Sequence, residues 1–281
     1  MNIKLAYSPD ADDAFMFRAA IDKLIDTEGL TFEPVTADTG SLNDLAIAGA
    51  VDVTAISVAA YPLIASGYLL LRHGGSVGRG YGPVIVSKRP HAIEHLPSLT
   101  IATPGETTTA HLIARLIAPD ATMTTVPITP YEAIFEAIES GAVDAGIIIH
   151  EGRLTYESHG LSKIVDLGEW WMGETGLPLP LGANVVRRGL GGEVIGRVDR
   201  VLKESIGWAL ANRDEMIDYL IDHVHRPDEV AEKHLLDRYL AMYANNETYG
   251  YADDTIRAIH EVIERGVAAG VIHADVAVEF A

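Results

Sequence analysis

Apolar positions along this chain fall into two rhythms. Short runs that alternate apolar with polar, bounded by Gly, Pro and Asp, predict strands, and stretches with apolar residues three and four apart predict helices. Ile3-Lys4-Leu5-Ala6-Tyr7 alternates and ends at Ser8-Pro9, and Leu99-Thr100-Ile101-Ala102 alternates and ends at Thr103-Pro104. Each passes through a small polar loop with good helix-start residues, Asp12-Asp13 or Thr107-Thr108, into an amphipathic helix. A second pair follows. Ala48-Gly49-Ala50-Val51-Asp52 leads to Ala55-Ile56-Ser57, and Ser140-Gly141-Ala142-Val143-Asp144 leads to Ile148-Ile149-His150. Ser8 and Thr103 are 95 residues apart, and Gly49 and Gly141 are 92 apart. Strand, loop and helix recur in any α/β protein, so one match carries little; two at nearly one offset predict a repeated βα unit.

The connections fit two lobes. Gly74 to Pro83 is glycine-rich and leads into the strand Val84 to Ser87, which suits a hinge strand entering a second lobe. These glycines resemble a phosphate loop only superficially, because no Gly-Lys-Ser/Thr follows and a strand comes next. Leu177-Pro178-Leu179-Pro180-Leu181-Gly182 leads to a strand Ala183 to Val186, a natural return crossing. The expected fold is α/β and two-lobed, with a ligand cleft between the lobes and two hinge crossings. Residues 1–90 and 178–281 form the first lobe and 91–177 the second. After the return the pattern is helical: an apolar stripe from Gly192 to about Asn212, then Arg213 to His223, Pro227 to Tyr243 and Asp253 to Ala269. These helices read as packing surfaces of the first lobe.

Length and composition narrow the function. A chain of 281 residues, 48% hydrophobic and 22% charged, can bury two ordinary cores. Its 40 acidic against 21 basic residues give a net charge of −19, a field that disfavours nucleic acid and anionic membranes as partners. The absence of cysteine removes disulfides, thiolate nucleophiles and cysteine-ligated metals. The N-terminal MNIKLAYSPDADD has no apolar stretch of signal-peptide length, and no run approaches the roughly 18 apolar residues of a membrane span, so a cytoplasmic location is expected. The sequence names no protein partner.

His150 is the leading catalytic candidate. It follows the buried-strand pattern Ile147-Ile148-Ile149 and precedes Glu151 and Arg153, so it sits at a strand's carboxyl end, where α/β proteins build their sites. An imidazole there can transfer protons near neutral pH. A lone His beside an apolar run is also a common structural residue, and no other His shares a metal-ligand spacing with it. His159, His223 with His225, and His234 form no zinc pattern, so no metal is expected. Thr107-Thr108-Thr109 opens a helix. One Thr is explained as a cap; three hydroxyls with free N–H groups also make a cradle for an anionic group. Facing lobes would line a cleft with Ser8, Asp12, Asp13, Ser57, Thr107 to Ala110 and His150. Arg79 and Arg153 are the nearest cations, each reading as a hinge or surface ion pair. Trp170-Trp171 reads as core.

The segments HEGRLTY, GLSKIVDLGEWW and TGLPLPLGANVV, with GGSVGRGYGP, ATPGETTTAHL and the Ser8-Pro9 loop, resemble the 1,4-dihydroxy-6-naphthoate synthases of the futalosine route to menaquinone. The resemblance covers roughly residues 3 to 210. It implies a type II periplasmic-binding-protein-like fold and a cofactor-free lyase that converts cyclic dehypoxanthine futalosine, a small anionic substrate, to the dihydroxynaphthoate. It implies His150 as general base. It further implies Ser57, Ala55 and Ile56, with Thr109 and Ala110, as substrate-binding positions; Thr108, Ser8 and Asp13 join them from the loops they flank. One departure stands out. The family pattern Ser-Pro-Cys-Pro-Asn-Asp-Thr reads Ser8-Pro9-Asp10-Ala11-Asp12-Asp13-Ala14 here. Two other readings remain at this stage: a solute-binding protein for a small organic acid, and the related chorismate dehydratase.

Overall fold

The computed structural model describes residues 1–126, 128, 132–223, 232–273 and 276–281. Its strands are β1 (Asn2–Tyr7), β2 (Thr31–Thr36), β3 (Val53–Ser57), β4 (Tyr68–Leu70), β5 (Ser76–Gly78), β6 (Val84–Ser87), β7 (Thr100–Thr103), β8 (Thr122–Thr125), β9 (Ala145–Ile148), β10 (Ser162–Asp166) and β11 (Leu179–Arg187). They form two sheets. One has the order β2-β1-β3-β11-β4, with β5 also paired to β11; the other has the order β10-β6-β9-β7-β8.

The repeat is visible in these sheets. β1 lies parallel between β2 and β3, and β7 lies parallel between β8 and β9. Each trio is closed by an antiparallel neighbour, β11 on β3 and β6 on β9. The Gly-Ala-Val-Asp corners do the same work twice. Gly49 and Gly141 each follow a helix with φ of +63° and +76°, the left-handed turn that favours glycine. Asp52 N–H donates to the Lys4 carbonyl while its carboxylate accepts from Lys4 N–H at 3.0 Å. Asp144 repeats this on Thr100, accepting from its N–H at 2.9 Å. One short motif thus ends a helix, starts a strand and sets the strand's register.

The crossings lie where the glycine and proline segments are. β5 pairs in the first sheet and β6 in the second, so the chain changes lobe between Gly78 and Val84, ahead of the boundary expected at residue 90. The return runs from the helix Leu167–Thr175 into β11. That strand is longer than Ala183 to Val186. Its N-terminal part takes in Pro180 because its pairing with β5 shifts register between Pro180 and Gly182, which spares the missing N–H.

Helices Gly192–Ala211, Arg213–His223, Lys233–Tyr243 and Asp253–Ala268 follow. The third was expected from Pro227, and residues 227–231, with His225, lie outside the described residues. Val198, Val201, Leu202 and Ile206 bury the first of these helices on Ile3, Leu5 and Phe17 of the first lobe. The last helix departs from expectation. Ile259, Val262 and Ile263 join one apolar cluster with Ile56, Tyr61 and Val185 of the first lobe and Ile101, Leu112 and Trp171 of the second. Trp171 is fully buried, its indole N–H donating to the Pro178 carbonyl at 3.0 Å. The helix therefore braces both lobes.

The two crossings touch at Gly168. A Cβ there would fall 2.0 Å from the Tyr81 carbonyl oxygen and 2.6 Å from Gly82 N, which only a backbone shift can relieve. Gly168→Ala is expected to cost about 1–3 kcal/mol by overpacking, measured as a lowered midpoint in urea unfolding.

Candidate functional site

β1 delivers the chain into the loop Ser8-Pro9-Asp10, from which the helix Ala11–Ile21 starts. Asp10 occupies the cap position without capping the helix through its side chain. Its buried carboxylate instead accepts from the Ser8 hydroxyl and lies 2.7 Å from His150 Nδ1. Asp13 accepts from Ser8 N–H at 2.7 Å. Asp12 accepts from Ser76 Oγ at 2.7 Å and from the Tyr239 hydroxyl at 3.0 Å. Three acids in four residues thus take donors from four different segments.

His150 follows β9 and opens a short 3-10 turn, His150–Leu154. Its φ of +52° is a left-handed conformation, which for a residue with a Cβ costs about 1 kcal/mol. The turn carries the ring across to the first lobe. Nδ1 meets Asp10, and Nε2 lies 3.2 Å from the Thr39 hydroxyl at the start of the helix Thr39–Ile47. Residue order does not point to Thr39 as the partner of the ring; Ser57 lines the same cavity. The His150 side chain keeps 16% of its surface exposed, towards the cleft.

Glu151, next in the chain, is buried. It is 1% exposed and its Oε1 faces Ala11 N–H at 3.4 Å, over the start of the first helix. Burial, aided by the Asp12 charge, pushes its carboxyl up to about 7. Burial and the neighbouring Asp12 charge push Asp13 up to about 8, against the pull of Ser8 N–H and His150. The seam holds more carboxyl groups than it can leave ionised at low cost.

Another part of the cleft is neutral. Thr108 caps the helix Thr109–Ile117, accepting from His111 N–H at 3.2 Å. Thr109 Oγ donates to the Leu181 carbonyl at 2.7 Å and accepts from Ala59 N–H at 3.2 Å. Thr107 Oγ accepts from Asn43 Nδ2 at 3.0 Å. The expected cradle of three hydroxyls is therefore engaged with the protein: one hydroxyl caps and two tie the lobes together. What remains for a ligand are the first-turn N–H groups of Thr109 and Ala110. Asn43, fully buried, also accepts from Ser57 N–H at 2.9 Å and donates to Ser57 Oγ at 3.3 Å.

The cavity between these walls contains about 750 Å³ of unfilled space, its open mouth included. Ser8, Asp13, Ala55, Ile56, Ser57, Thr108, Thr109, Ala110 and His150 all line it. So do Asp10, Asp12, Thr39, Ser76, Tyr239 and Tyr243. Of these, sequence reasoning had not assigned Asp10, Thr39, Ser76 or the two tyrosines to the site. The tyrosines stand four apart on a helix read only as packing. Arg153 lines the cavity too, but its guanidinium donates to Asp166 at 2.6 Å and to the Gly82 carbonyl at 2.7 Å. Arg79 is elsewhere, held by Glu247 and Asp254. Ligating atoms of Asp10, Asp12 and His150 lie within 4.8 Å of one another, close enough to share a cation. Every one of the three already has hydrogen-bond partners in the protein, as given above. Among the described residues no helix is long and apolar enough to cross a membrane.

Two lobes, two crossings and a deep cleft between them define a periplasmic-binding-protein-like fold. The alkanesulfonate-binding protein of Xanthomonas axonopodis pv. citri shares it, with a TM-score of 0.72 over 99% of this chain and 96% of its own at 13% identity. That likeness concerns the fold alone. The menaquinone biosynthesis family profile matches residues 3–268, and the chain belongs to that family. It is similar to the 1,4-dihydroxy-6-naphthoate synthases of Thermus thermophilus (36% identity, 95% of each chain) and Streptomyces coelicolor (35%, 97% of this chain and 95% of that one). A crystal structure of an Archaeoglobus fulgidus protein superposes with a TM-score of 0.89 at 39% identity, over 96% of this chain and 98% of its own. The protein is thus an enzyme of menaquinone biosynthesis.

A buried acid that holds its proton more tightly in the folded than in the unfolded chain weakens folding as the pH rises between the two values. For Glu151 that window runs from 4.5 to about 7. Across it this group is expected to remove roughly 3 kcal/mol of stability from the ligand-free protein. Glu151→Gln should abolish that share, seen as a shallower pH dependence in urea unfolding at pH 4.5 and 7.5.

Proposed function

We propose that this enzyme is a carbon–carbon lyase that acts on cyclic dehypoxanthine futalosine and releases 1,4-dihydroxy-6-naphthoate, with His150 as the general base. The observation that carries this reading is the position of His150, which lines the cleft between the lobes, its Nε2 3.2 Å from the Thr39 hydroxyl that lines it too. A neutral imidazole there can take the proton whose removal starts ring opening and carbon–carbon cleavage. The relatives' names supply the product; the substrate follows from the sequence resemblance, and the cavity supplies suitable chemistry. The N–H groups of Thr109 and Ala110, at a helix N-terminus, suit the substrate carboxylate. Hydroxyls of Ser57 and Thr39 suit its sugar-derived oxygens. Ala55, Ile56, Leu181 and Tyr243 offer apolar surface to the aromatic part. Arg153 is already neutralised by Asp166, so the carboxylate is held by dipoles and not by an ion pair. The same reading has the enzyme act in the cytoplasm, on a small anionic substrate, without metal or organic cofactor.

Purified protein should convert the cyclic futalosine derivative to dihydroxynaphthoate in buffer free of nucleotide and with a chelator present. His150→Ala should lower kcat by at least about 100-fold with the substrate Kd changed little, followed by product absorbance and by calorimetry. Tight binding without product from the unaltered protein would replace the lyase with a solute-binding role.

A further inference from the structure

We propose that Asp10 is the positioning residue of the base: it fixes the tautomer of His150, so that the ring's proton sits on Nδ1 and its lone pair on Nε2 faces the cavity. The inference rests on His150 being the base, and it concerns a residue at which the first loop departs from the family pattern.

Geometry carries the argument. Asp10 Oδ2 lies 2.7 Å from His150 Nδ1, and the Asp10 side chain is 1% exposed. A carboxylate held there accepts, so the ring nitrogen facing it must donate. That leaves Nε2 as the acceptor nitrogen, and the Thr39 hydroxyl at 3.2 Å can donate to it in the resting enzyme. The carboxylate is itself oriented, since the Ser8 hydroxyl donates to the same oxygen. The His150 backbone, at φ +52°, aims the ring across the seam and not along its own strand. An acid that only capped the helix Ala11–Ile21 would bond the N–H groups of its first turn, and Asp10 makes no such bond.

The chemistry follows. When Nε2 takes a proton, its lone pair forms the new N–H bond. The electron pair of the broken bond stays on the substrate. The imidazolium that results lies against the Asp10 side chain, 2.7 Å from Nδ1. Nothing else is consumed. Because Asp10 comes from the first lobe and His150 from the second, the lock exists only while the lobes are together. The base is thereby set in its reactive form in the closed cleft.

The test uses the full-length protein with the cyclic substrate, and 15N-imidazole NMR at a pH where the ring is neutral. Unaltered protein should show His150 with a protonated Nδ1 and a lone-pair Nε2. Asp10→Asn can present an amide N–H to Nδ1 and so favour the other tautomer. It should show a second His150 form and lose at least about 100-fold in kcat, with KM within about threefold, on the magnitudes of removing such an orienting carboxylate. A kcat within about threefold of the unaltered enzyme together with an unchanged tautomer would overturn the proposal. So would a lone-pair Nδ1 in the unaltered protein, a reading that needs no variant to fold. If the unaltered protein binds the substrate and makes no product, the lyase reading fails. The NMR result then still decides whether Asp10 sets the ring.

Discussion

The structure depends on burying four carboxyl groups, those of Asp10, Asp12, Asp13 and Glu151, at the seam of two lobes. A buried carboxylate without donors is too costly to keep, so each acid here recruits them, and most come from another part of the chain. Asp10 takes His150 of the second lobe, Asp12 takes Tyr239 of a C-terminal helix, and Glu151 of the second lobe faces the first helix of the first. For Asp10 and Glu151, satisfying the acid and closing the cleft are therefore one event, while Asp12 and Asp13 take their donors within the first lobe. The neutral side adds Asn43 to Thr107 and Thr109 to Leu181, which tie the lobes by the same means without charge.

The division of labour inside the repeat explains how a cleft of this kind arises. Both halves build a strand, a loop and a helix, and both set register with an Asp that bonds the backbone of a neighbouring strand. The loops after β1 and β7 are where they differ. One carries Asp10, Asp12 and Asp13, and the other carries Thr107, Thr108 and Thr109. The scaffold is shared, and the site is made from the differences. The braced hinge, with Ile259 and Val262 packed against both lobes, keeps those unlike loops facing each other.

Much of this was legible in residue order. Period-two runs located β1 and β7, the Ile run located β9, and the matching Gly-Ala-Val-Asp corners placed β3 and announced the repeat, because those signals are local. Thr108 was legible as a cap for the same reason. The length of β11 was not, since a register shift hides the cost of Pro180 and only the partner strand reveals it. His150 could be picked out by its place after an Ile run. Its partners could not: Thr39 is 111 residues away, and Asp12 is 227 residues from Tyr239. The burial of Glu151 was not legible either, because a single sequence does not show that the helix start at Ala11 comes down over it. Pairings fixed by tertiary closure leave no periodic trace in either partner.

The unlike loops have one more consequence. A molecule spanning the gap would sit between a wall rich in carboxyl groups and a wall whose free groups are the N–H dipoles of Thr109 and Ala110. Such a gap is polar in one direction, as a battery is. It sorts the two ends of an asymmetric guest by sign before any atom-to-atom contact is made, turning the electron-rich end towards the N–H dipoles of Thr109 and Ala110. For the anionic substrate proposed above, facing would be set by that field, with no arginine clamp required.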